Sequence, residues 1–401
     1  MGKLNVSDLE VKGKKVLVRV DFNVPMNPDG TISDDTRIRE SLPTIQHILN
    51  AGGSVILMSH LGRPKGKKDP KFSLAPCAKS LSHLLGRPVI MAPDCIGKET
   101  EALAQKLEEG QVLLLENLRF YPEEEKPEIN PSFAKELASL GDLYVNDAFG
   151  TAHRAHSSTA AIAQYFPNSA AAGMLMQKEI AFLGDLVKDP KRPFYALIGG
   201  SKISTKIGVL HALLDKVDAL FIGGAMSYTF FKAQGIEIGN SLCETDQIET
   251  AKSLSELAVK KNVELYLPTD HLIAASISQD SPTKILSINE GVPLGWQGVD
   301  IGPKTLQKWE ENLKKARTIF WNGPLGVFEI PAFAKGTAGI AETLAHLSAV
   351  TIVGGGDSVS AVNQLGLASQ FSHLSTGGGA SLEYLELGHL PGIDSLSDSP
   401  R

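Results

Sequence analysis

The sequence predicts an α/β protein built from doubly wound parallel sheets, and three observations support this prediction. Short apolar runs, often β-branched, recur along the chain and are apolar throughout, as expected of strands buried on both faces. Helix-like stretches separate these runs, so the two kinds of element alternate. The chain has 401 residues, whereas single cores tend to stop growing beyond about 250–300 residues. Two domains are therefore expected.

The apolar runs place the predicted strands along the chain. Helical patterns between them include Thr44–Gly53 and Phe133–Gly141, where Gly141 gives the signal of a helix C-cap. Another helical pattern, Met176–Val187, is followed by the polar stretch KDPKRP, and the domain boundary is expected there. The predicted strands include Lys15–Val20, Ser54–Ser59, Val112–Asn117, Asp142–Asp147, Phe194–Gly199, Asp218–Gly223, Val263–Pro268, Lys284–Ile288, Thr318–Gly323 and Ala349–Gly354.

Composition and charge are those of an ordinary soluble globular protein. Hydrophobic residues make up 42% of the chain and charged residues 21%, and the formal net charge is −6. This charge gives no reason to expect a nucleic acid or an anionic membrane as a partner. Cys77, Cys95 and Cys243 form no paired motif, the N-terminus lacks the apolar core of a signal peptide, and no apolar run is long enough for a bilayer. We expect a cytoplasmic protein with buried, reduced thiols.

Arginine and histidine are frequent where the predicted strands of the first half end. In open α/β sheets, ligands bind beyond the carboxyl ends of the strands. Arginines there suit a compact ligand with carboxylate or phosphate groups, held by bidentate hydrogen bonds. One such arginine is more often a surface ion-pair partner, but here several recur. The segments are Asp21–Asn23, His60–Arg63, Asn117–Arg119 and Ala148–His156, and the arginines are Arg37, Arg63, Arg119 and Arg154.

His153 and His156 raise the alternative of a metal site in the last of these segments. No nearby cysteine or glutamate completes a zinc set. Arg154 lies between them, and a fixed cation repels a metal ion and attracts an anion. We interpret the segment as an anion-binding loop in which the histidines support the loop, add positive potential or only pack.

Glycine dominates the corresponding segments of the second half, which are Gly199–Lys202, Gly223–Ser227, Asn322–Gly326 and Gly354–Ser358. Gly354, Gly355 and Gly356 can turn the chain from a strand into a helix, so that free N–H groups point at a phosphate. Asp357 could then approach a magnesium ion, or could simply be the helix N-cap.

Lys202 and Lys206 are spaced to share one face of a helix, where like charges repel. A solvated basic face is the simple interpretation. Because the pair follows a Gly-Gly strand exit, we favour a phosphate between the two ammonium groups.

Other nucleotide signatures are absent from the sequence. There is no G-x-x-x-x-G-K-[ST] motif and no protein-kinase catalytic loop. A nicotinamide dehydrogenase would share the sheet architecture, but its glycine fingerprint is missing. A two-lobed small-anion-binding protein would also share the architecture, but such proteins usually carry a secretory signal. Both remain alternatives at this point.

Six long blocks give the chain a resemblance to a known family. It resembles the phosphoglycerate kinases over nearly its full length. That family has two Rossmann-like doubly wound domains that face each other across a hinged cleft. It transfers a phosphoryl group from 1,3-bisphosphoglycerate to ADP, reversibly, giving 3-phosphoglycerate and MgATP. The blocks are Arg19–Pro25, Ser59–Pro64, Leu115–Phe120, Asn146–Ser158, Trp321–Glu329 and Ser375–Glu383.

The resemblance implies a division of the chain and a set of site residues. Residues 1–172, with a tail of about 385–401 that returns to them, would bind 3-phosphoglycerate. Residues 173–187 would form an interdomain helix and 188–384 would bind the nucleotide, in a monomer. The implied substrate residues are Asp21, Phe22, Asn23, Arg37, His60, Leu61, Gly62, Arg63, Arg119 and Arg154. The implied nucleotide residues are Lys202, Gly223, Gly224, Gly298, Asn322, Glu329, Gly354, Gly355, Gly356, Asp357 and Ser358.

Catalysis would then depend on Arg37, Lys202 and Lys206, with Mg²⁺ bound by Asp357 and the nucleotide phosphates. The acceptor carboxylate has an intrinsic pKa of about 4, so no general base is needed. In-line positioning and cations around the transferring group are enough. Ser201, Thr205 and Ala225 depart from the usual family residues, and Ala225 leaves the nucleotide preference open.

Overall fold

The structure is a computed structural model that describes residues 2–400, and these fall into two compact units. One unit extends to Ala181 and takes up the chain again from His389, and the other comprises Phe182–Gly388. The change from one unit to the other occurs within a single helix, Met174–Lys188. Within residues 2–400, no helix is both long enough and apolar enough to cross a bilayer.

The first unit contains a six-stranded sheet in the order β3-β4-β2-β1-β5-β6, with all neighbours parallel. The chain fills one side of β1 with β2–β4 before it adds β5 on the other side. A crevice is expected where the direction of winding changes, at the carboxyl ends of β1 and β5. The strands are β1 (Lys15–Arg19), β2 (Ser54–Met58), β3 (Val89–Met91), β4 (Val112–Leu114), β5 (Leu143–Asn146) and β6 (Ala170–Ala172).

Helices cover both faces of this sheet in the sequence order that the alternating pattern predicts. On one face, Val16 and Val18 of β1 belong to the same buried cluster as Ile45 and Ile48. The helices are α1 (Thr36–Asn50), α2 (Ala75–Leu85), α3 (Lys98–Gln105), α4 (Pro122–Glu125), α5 (Ser132–Ala138), α6 (Met174–Lys188) and a last short helix, Pro391–Asp394. Short 3₁₀ turns lie at Val6–Asp8, Pro70–Phe72, Leu118–Phe120, Phe149–Thr151 and Ala161–Tyr165.

The second unit contains a parallel six-stranded sheet, β15-β14-β13-β7-β8-β9, and a three-stranded antiparallel sheet, β11-β10-β12. Its strands are β7 (Phe194–Ile198), β8 (Ala219–Ile222), β9 (Glu264–Tyr266), β10 (Asp270–Ala274), β11 (Thr283–Ser287), β12 (Gln297–Ile301), β13 (Thr318–Asn322), β14 (Val350–Gly354) and β15 (His373–Leu374). Its helices are α7 (Ile207–Leu214), α8 (Ser227–Ala233), α9 (Ile248–Lys260), α10 (Pro303–Leu313), α11 (Lys335–Ala345), α12 (Gly356–Gln364) and α13 (Gly379–Leu387). Its 3₁₀ turns are Thr245–Gln247, Ile288–Glu290, Pro331–Phe333 and Ala368–Gln370.

Strands form at all the predicted runs, but two expectations are wrong. Lys284–Ile288 was predicted among the buried parallel strands, yet β11 is a largely exposed strand of the antiparallel sheet. Gly141 is not a helix C-cap, because α5 ends at Ala138. A Cβ on Gly141 would lie 3.0 Å from the side chain of Leu17. The glycine therefore permits close approach to β1.

The two ends of the chain cover the edge strand β6. The Ala172 N–H donates to the Leu4 carbonyl over 2.8 Å, and the Ser397 N–H donates to the Ala170 carbonyl over 2.9 Å. The Leu4 N–H in turn donates to the Ser397 carbonyl over 2.8 Å. Backbone groups that an edge strand would leave open are thus paired with both chain ends.

Three strand exits of the second unit approach one another through glycines. A Cβ on Gly199 would lie 2.2 Å from the Pro324 carbonyl oxygen, and one on Gly323 would lie 2.3 Å from the Gly199 carbonyl oxygen. A Cβ on Gly224, whose φ is +68°, would lie 2.6 Å from the Gly200 nitrogen. No other residue type fits these backbone contacts.

We predict that Gly199→Ala lowers the free energy of unfolding of the second unit by about 1–3 kcal/mol, because rigid backbone must move to admit the methyl group. The three tryptophans, Trp296, Trp309 and Trp321, all lie in the second unit. Urea denaturation followed by tryptophan fluorescence therefore reports on this unit.

Gly379→Ala is the matched control for this experiment. Gly379 begins α13, and a Cβ there would meet nothing within 4 Å. This variant should be neutral or more stable by up to about 1 kcal/mol. Equal effects of the two substitutions would contradict the packing argument.

Candidate functional site

The carboxyl end of the first sheet brings several of the expected substrate residues together. Asp21 follows β1, and its Oδ2 accepts a hydrogen bond from Arg37 Nη1, in the first turn of α1, over 2.7 Å. Asn23 Oδ1 accepts from the Gly62 N–H over 2.9 Å. The segments after β1 and β2 are therefore held to each other and to α1.

Three histidines lie at this end of the sheet, and their surroundings favour the neutral imidazole. Burial, with Arg19 and other arginines nearby, lowers the pKa of His60 well below its ordinary value. The same causes lower the pKa of His156 to about 3, and burial beside Arg154 lowers that of His153. Of the three alternatives for His153 and His156, these lowered pKa values favour support of the loop or packing over added positive potential. Positive charge comes from the arginines.

A metal site is not supported here. No cluster of three or more potential metal-binding side chains occurs among residues 2–400. His153 Nε2 instead accepts a hydrogen bond from Arg154 Nε over 3.3 Å, so the histidine supports the arginine.

Arg119 and Arg154 share one carboxylate neighbour. Arg119 is buried, and its Nη1 donates to the Gly62 carbonyl over 2.9 Å. Glu125 Oε1 lies 3.2 Å from Arg119 Nε and 3.9 Å from Arg154 Nη1. Burial lowers the pKa of the Arg119 guanidinium, and the Glu125 carboxylate opposes that shift. The two arginines are thus close enough to serve one anion.

Beneath these residues, Arg19, Ser158 and Glu124 form a buried chain of hydrogen bonds. Arg19 Nε donates to Ser158 Oγ over 2.8 Å, and Ser158 Oγ donates to Glu124 Oε1 over 2.6 Å. Arg19 also donates to the Val20 carbonyl and lies 3.3 Å from His60 Nδ1. Burial raises the pKa of the Glu124 carboxyl, whereas Arg19 lowers it. This chain of hydrogen bonds therefore connects the segments after β1, β2 and β5 with α4.

The other expected substrate residues differ in exposure. Arg63 is exposed to solvent, whereas Phe22 and Leu61 are buried in the hydrophobic core. Asn117 Oδ1 accepts from the Leu61 N–H, and Asn117 Nδ2 donates to the Leu61 carbonyl. Phe22 and Leu61 therefore anchor the segments after β1 and β2 in the hydrophobic core.

The second unit contains a cavity of about 280 Å³. Among the expected nucleotide residues, it is lined by Gly224, Gly298, Glu329 and Asp357. Apolar side chains such as Leu325 and Val327 form much of the remaining wall. A cavity whose wall combines apolar and polar groups suits a planar base attached to a polar sugar and phosphates.

Lys206 lies beside this cavity, at the point where the sheet changes winding direction between β7 and β13. Its Nζ donates to Asn322 Oδ1 over 2.6 Å, and burial lowers its pKa to about 8. The expectation that Lys202 and Lys206 share a helical face is wrong. α7 begins at Ile207, so Lys206 is its N-cap residue and Lys202 lies in the preceding loop, exposed to solvent.

The turn from β14 into α12 has the expected form. Gly355 is the N-cap residue, with φ +92°, and Asp357 lies in the first helical turn with its side chain exposed. The alternative that Asp357 is the N-cap is therefore wrong. Ser358 Oγ accepts a hydrogen bond from the Gly323 N–H over 2.6 Å, which ties this turn to the segment after β13. Gly223 packs behind the cavity, where its added Cβ would meet Leu325.

The sequence analysis missed three polar residues of the cavity wall, namely Tyr228, His271 and Asp300. Tyr228 Oη lies 2.9 Å from His271 Nδ1. Burial raises the pKa of Asp300 to about 7, although its carboxylate accepts from the Gly336 N–H over 2.7 Å. Tyr228 lies in the first turn of α8, shortly after Gly224, and this nearness in sequence was the one available signal.

Comparison with known proteins gives a consistent result along the chain. The family model for phosphoglycerate kinase matches residues 6–388. The chain is 55% identical to the phosphoglycerate kinase of Prosthecochloris aestuarii over 401 residues, which cover 99% of this chain and 100% of that relative. It is 54% identical to the enzyme of Moorella thermoacetica over 398 residues, with coverage of 99% and 100%.

Solved structures agree with the sequence relatives. Phosphoglycerate kinase from Coxiella burnetii superposes with a TM-score of 0.86 at 43% identity, and the match covers 98% of each chain. The enzyme from Pyrococcus horikoshii gives a TM-score of 0.85 at 31% identity, again over 98% of each chain. These matches exclude the dehydrogenase and the binding protein as alternatives. The chain belongs to the phosphoglycerate kinase family, phosphotransferases of glycolysis that use a carboxyl group as the acceptor.

Proposed function

We propose that the residues at the carboxyl end of the first sheet hold 3-phosphoglycerate, and that the cavity and the turns beside it hold the nucleotide. The proposal rests on one contrast between the units: arginines are concentrated in one, whereas the other has a cavity beside a half-buried lysine. Arg37, Arg119 and Arg154 are the cations for the glycerate carboxylate and phosphate. Asp21, Asn23, His60 and Gly62 orient them, and exposed Arg63 adds positive charge.

On the nucleotide side, Gly224 and Gly298 leave room for the base. Glu329, which lines the cavity, accepts hydrogen bonds from the ribose. The N-terminus of α12, from Gly354 to Ser358, faces the phosphates with its free N–H groups. Asp357 fits Mg²⁺ because it is an exposed carboxylate beside the cavity, and carboxylate oxygen is a ligand that Mg²⁺ favours. Bound with the nucleotide, Mg²⁺ neutralises charge on the phosphate oxygens.

Catalysis in this proposal is electrostatic and positional. The attacking carboxylate is already ionised at neutral pH, so no residue has to remove a proton. Arg37 stabilises the transferring group from the acceptor side, and Lys202 and Lys206 do so from the donor side. Half-buried Lys206, fixed by Asn322, needs little reorganisation when negative charge develops beside it. The side chain of Lys202 is exposed, so it can move with the phosphoryl group during transfer.

The remaining expectations concern the state of the protein in the cell. We infer that the chain acts as a monomer, because each proposed ligand set is drawn from one unit of this chain. A cytoplasmic location fits its family's role in glycolysis and its free cysteines, of which Cys77 and Cys95 are buried.

We predict that the purified protein phosphorylates 3-phosphoglycerate when MgATP is supplied, and that EDTA abolishes this activity. A coupled assay that consumes 1,3-bisphosphoglycerate measures the rate. Excess Mg²⁺ added after EDTA should restore it. Turnover that continues undiminished in EDTA would show that Asp357 and the phosphates need no divalent cation.

We predict that Arg119→Ala weakens 3-phosphoglycerate binding by at least about tenfold, because the ligand loses a buried charged donor. Arg154→Lys should weaken binding less, since lysine keeps the charge but loses the planar donor pair. Isothermal titration calorimetry with 3-phosphoglycerate measures both. Wild-type affinity in both variants would remove these arginines from the substrate site.

We predict that kcat/KM for MgATP falls as the pH rises above about 8, by about tenfold per pH unit at the steepest. The reason is that burial lowers the pKa of Lys206 to about 8, so the free enzyme loses this ammonium as the pH rises. Lys206→Met should remove the decline as well as lowering the rate. Lys202→Met is the matched control, and its pH profile should keep the decline.

A further inference from the structure

Glu125 is a carboxylate placed where an anionic ligand is proposed to bind. It is the last residue of α4, and its Oε1 lies within 4 Å of both Arg119 and Arg154. A site for a doubly charged phosphate gains nothing from a fixed negative charge beside it, because like charges repel. Its presence therefore calls for a separate explanation.

Arg119 needs a counter-charge whenever no ligand is bound. Its side chain is only 6% exposed, and its Nε is buried without a hydrogen-bond partner within the described residues. An isolated buried charge is costly in a medium of low dielectric constant. Glu125, 3.2 Å from this nitrogen, supplies the opposite charge without a well-aligned hydrogen bond.

Glu125 differs from its neighbour in its freedom to move. Glu124 is fully buried and accepts from both the N–H and the hydroxyl of Ser158. The side chain of Glu125 is 42% exposed, so it can turn into solvent by giving up only its contacts with Arg119 and Arg154. Adjacent glutamates therefore have different tasks, since one is a fixed support and the other is displaceable.

We propose that Glu125 is an internal counter-ion that holds Arg119 and Arg154 while the substrate site is empty, and that 3-phosphoglycerate must displace it to bind. This inference rests on the proposed function of the two arginines. Competition of this kind raises the KM for the glycerate substrate and helps to expel it as a product. Glu125 thus sets substrate affinity through the arginines.

A counter-ion role and a purely structural role predict opposite changes in the affinity for 3-phosphoglycerate when the charge of Glu125 is removed. If Glu125 competes with the ligand, Glu125→Gln should bind 3-phosphoglycerate roughly two- to fivefold more tightly, which is the scale of a partly exposed ion pair. If Glu125 instead holds Arg119 in its binding orientation, the same substitution should weaken binding.

Isothermal titration calorimetry of the full chain with 3-phosphoglycerate, without nucleotide, decides between them. Glu128→Gln is the matched control, because it removes the same charge from an exposed residue of the same segment. We expect tighter binding in Glu125→Gln and Glu125→Ala, and an unchanged affinity in Glu128→Gln. Unchanged or weaker binding in both Glu125 variants overturns the proposal, and so does an equal gain in the Glu128 control.

Arg119→Ala separates this inference from the proposed function. If Arg119→Ala loses affinity while the Glu125 variants bind as the wild type does, the substrate site stands and only the counter-ion is wrong. If Arg119→Ala binds normally, the proposed site itself fails. Thermal unfolding of each variant verifies that it is folded before titration.

Discussion

The end of the first unit where the substrate is proposed to bind depends on one buried arginine. Arg19 lies at the end of β1 with 1% of its surface exposed, and it is compensated by Glu124 through the hydroxyl of Ser158. Removing one partner of a buried charge pair typically costs about 3–5 kcal/mol, because the other charge is left unpaired. The segments after β1, β2 and β5 are therefore positioned, directly or through one neighbour, by a buried charge that must stay paired.

In the second unit, the segments after the strands are positioned without buried ion pairs among the described residues. Its strand exits contact one another through the backbones of Gly199, Gly224 and Gly323. Among the described residues of this junction, Lys206 is the only cation. Such a surface offers N–H groups instead of fixed charge, which suits a ligand that brings its own metal ion. The different residue chemistry of the two units thus matches the different ligands proposed for them.

Local patterns were sufficient for the strands that end at the proposed sites, because those strands are apolar throughout and β-branched. They failed for β6, whose three alanines have little strand propensity, and for β12, which is interrupted by Gly298. The start of α7 was misjudged because Lys206 extends back to Asn322, a contact across the sheet. Glu124 resembles a solvent-facing residue in the acidic run Glu123–Glu125, and only its distant partner Arg19 explains its burial.

The pairing of both chain ends along β6 affects how the protein is made. Most of the first unit precedes the second in sequence, yet Ser397 closes its sheet edge and Gly392 accepts a hydrogen bond from Asn146. These residues are translated after the whole of the second unit, which ends at Gly388. The second unit is continuous in sequence, so it can complete its fold on the ribosome while the first waits. Until Ser397 emerges, the nascent chain carries an unprotected strand edge, which is where a chaperone would be needed.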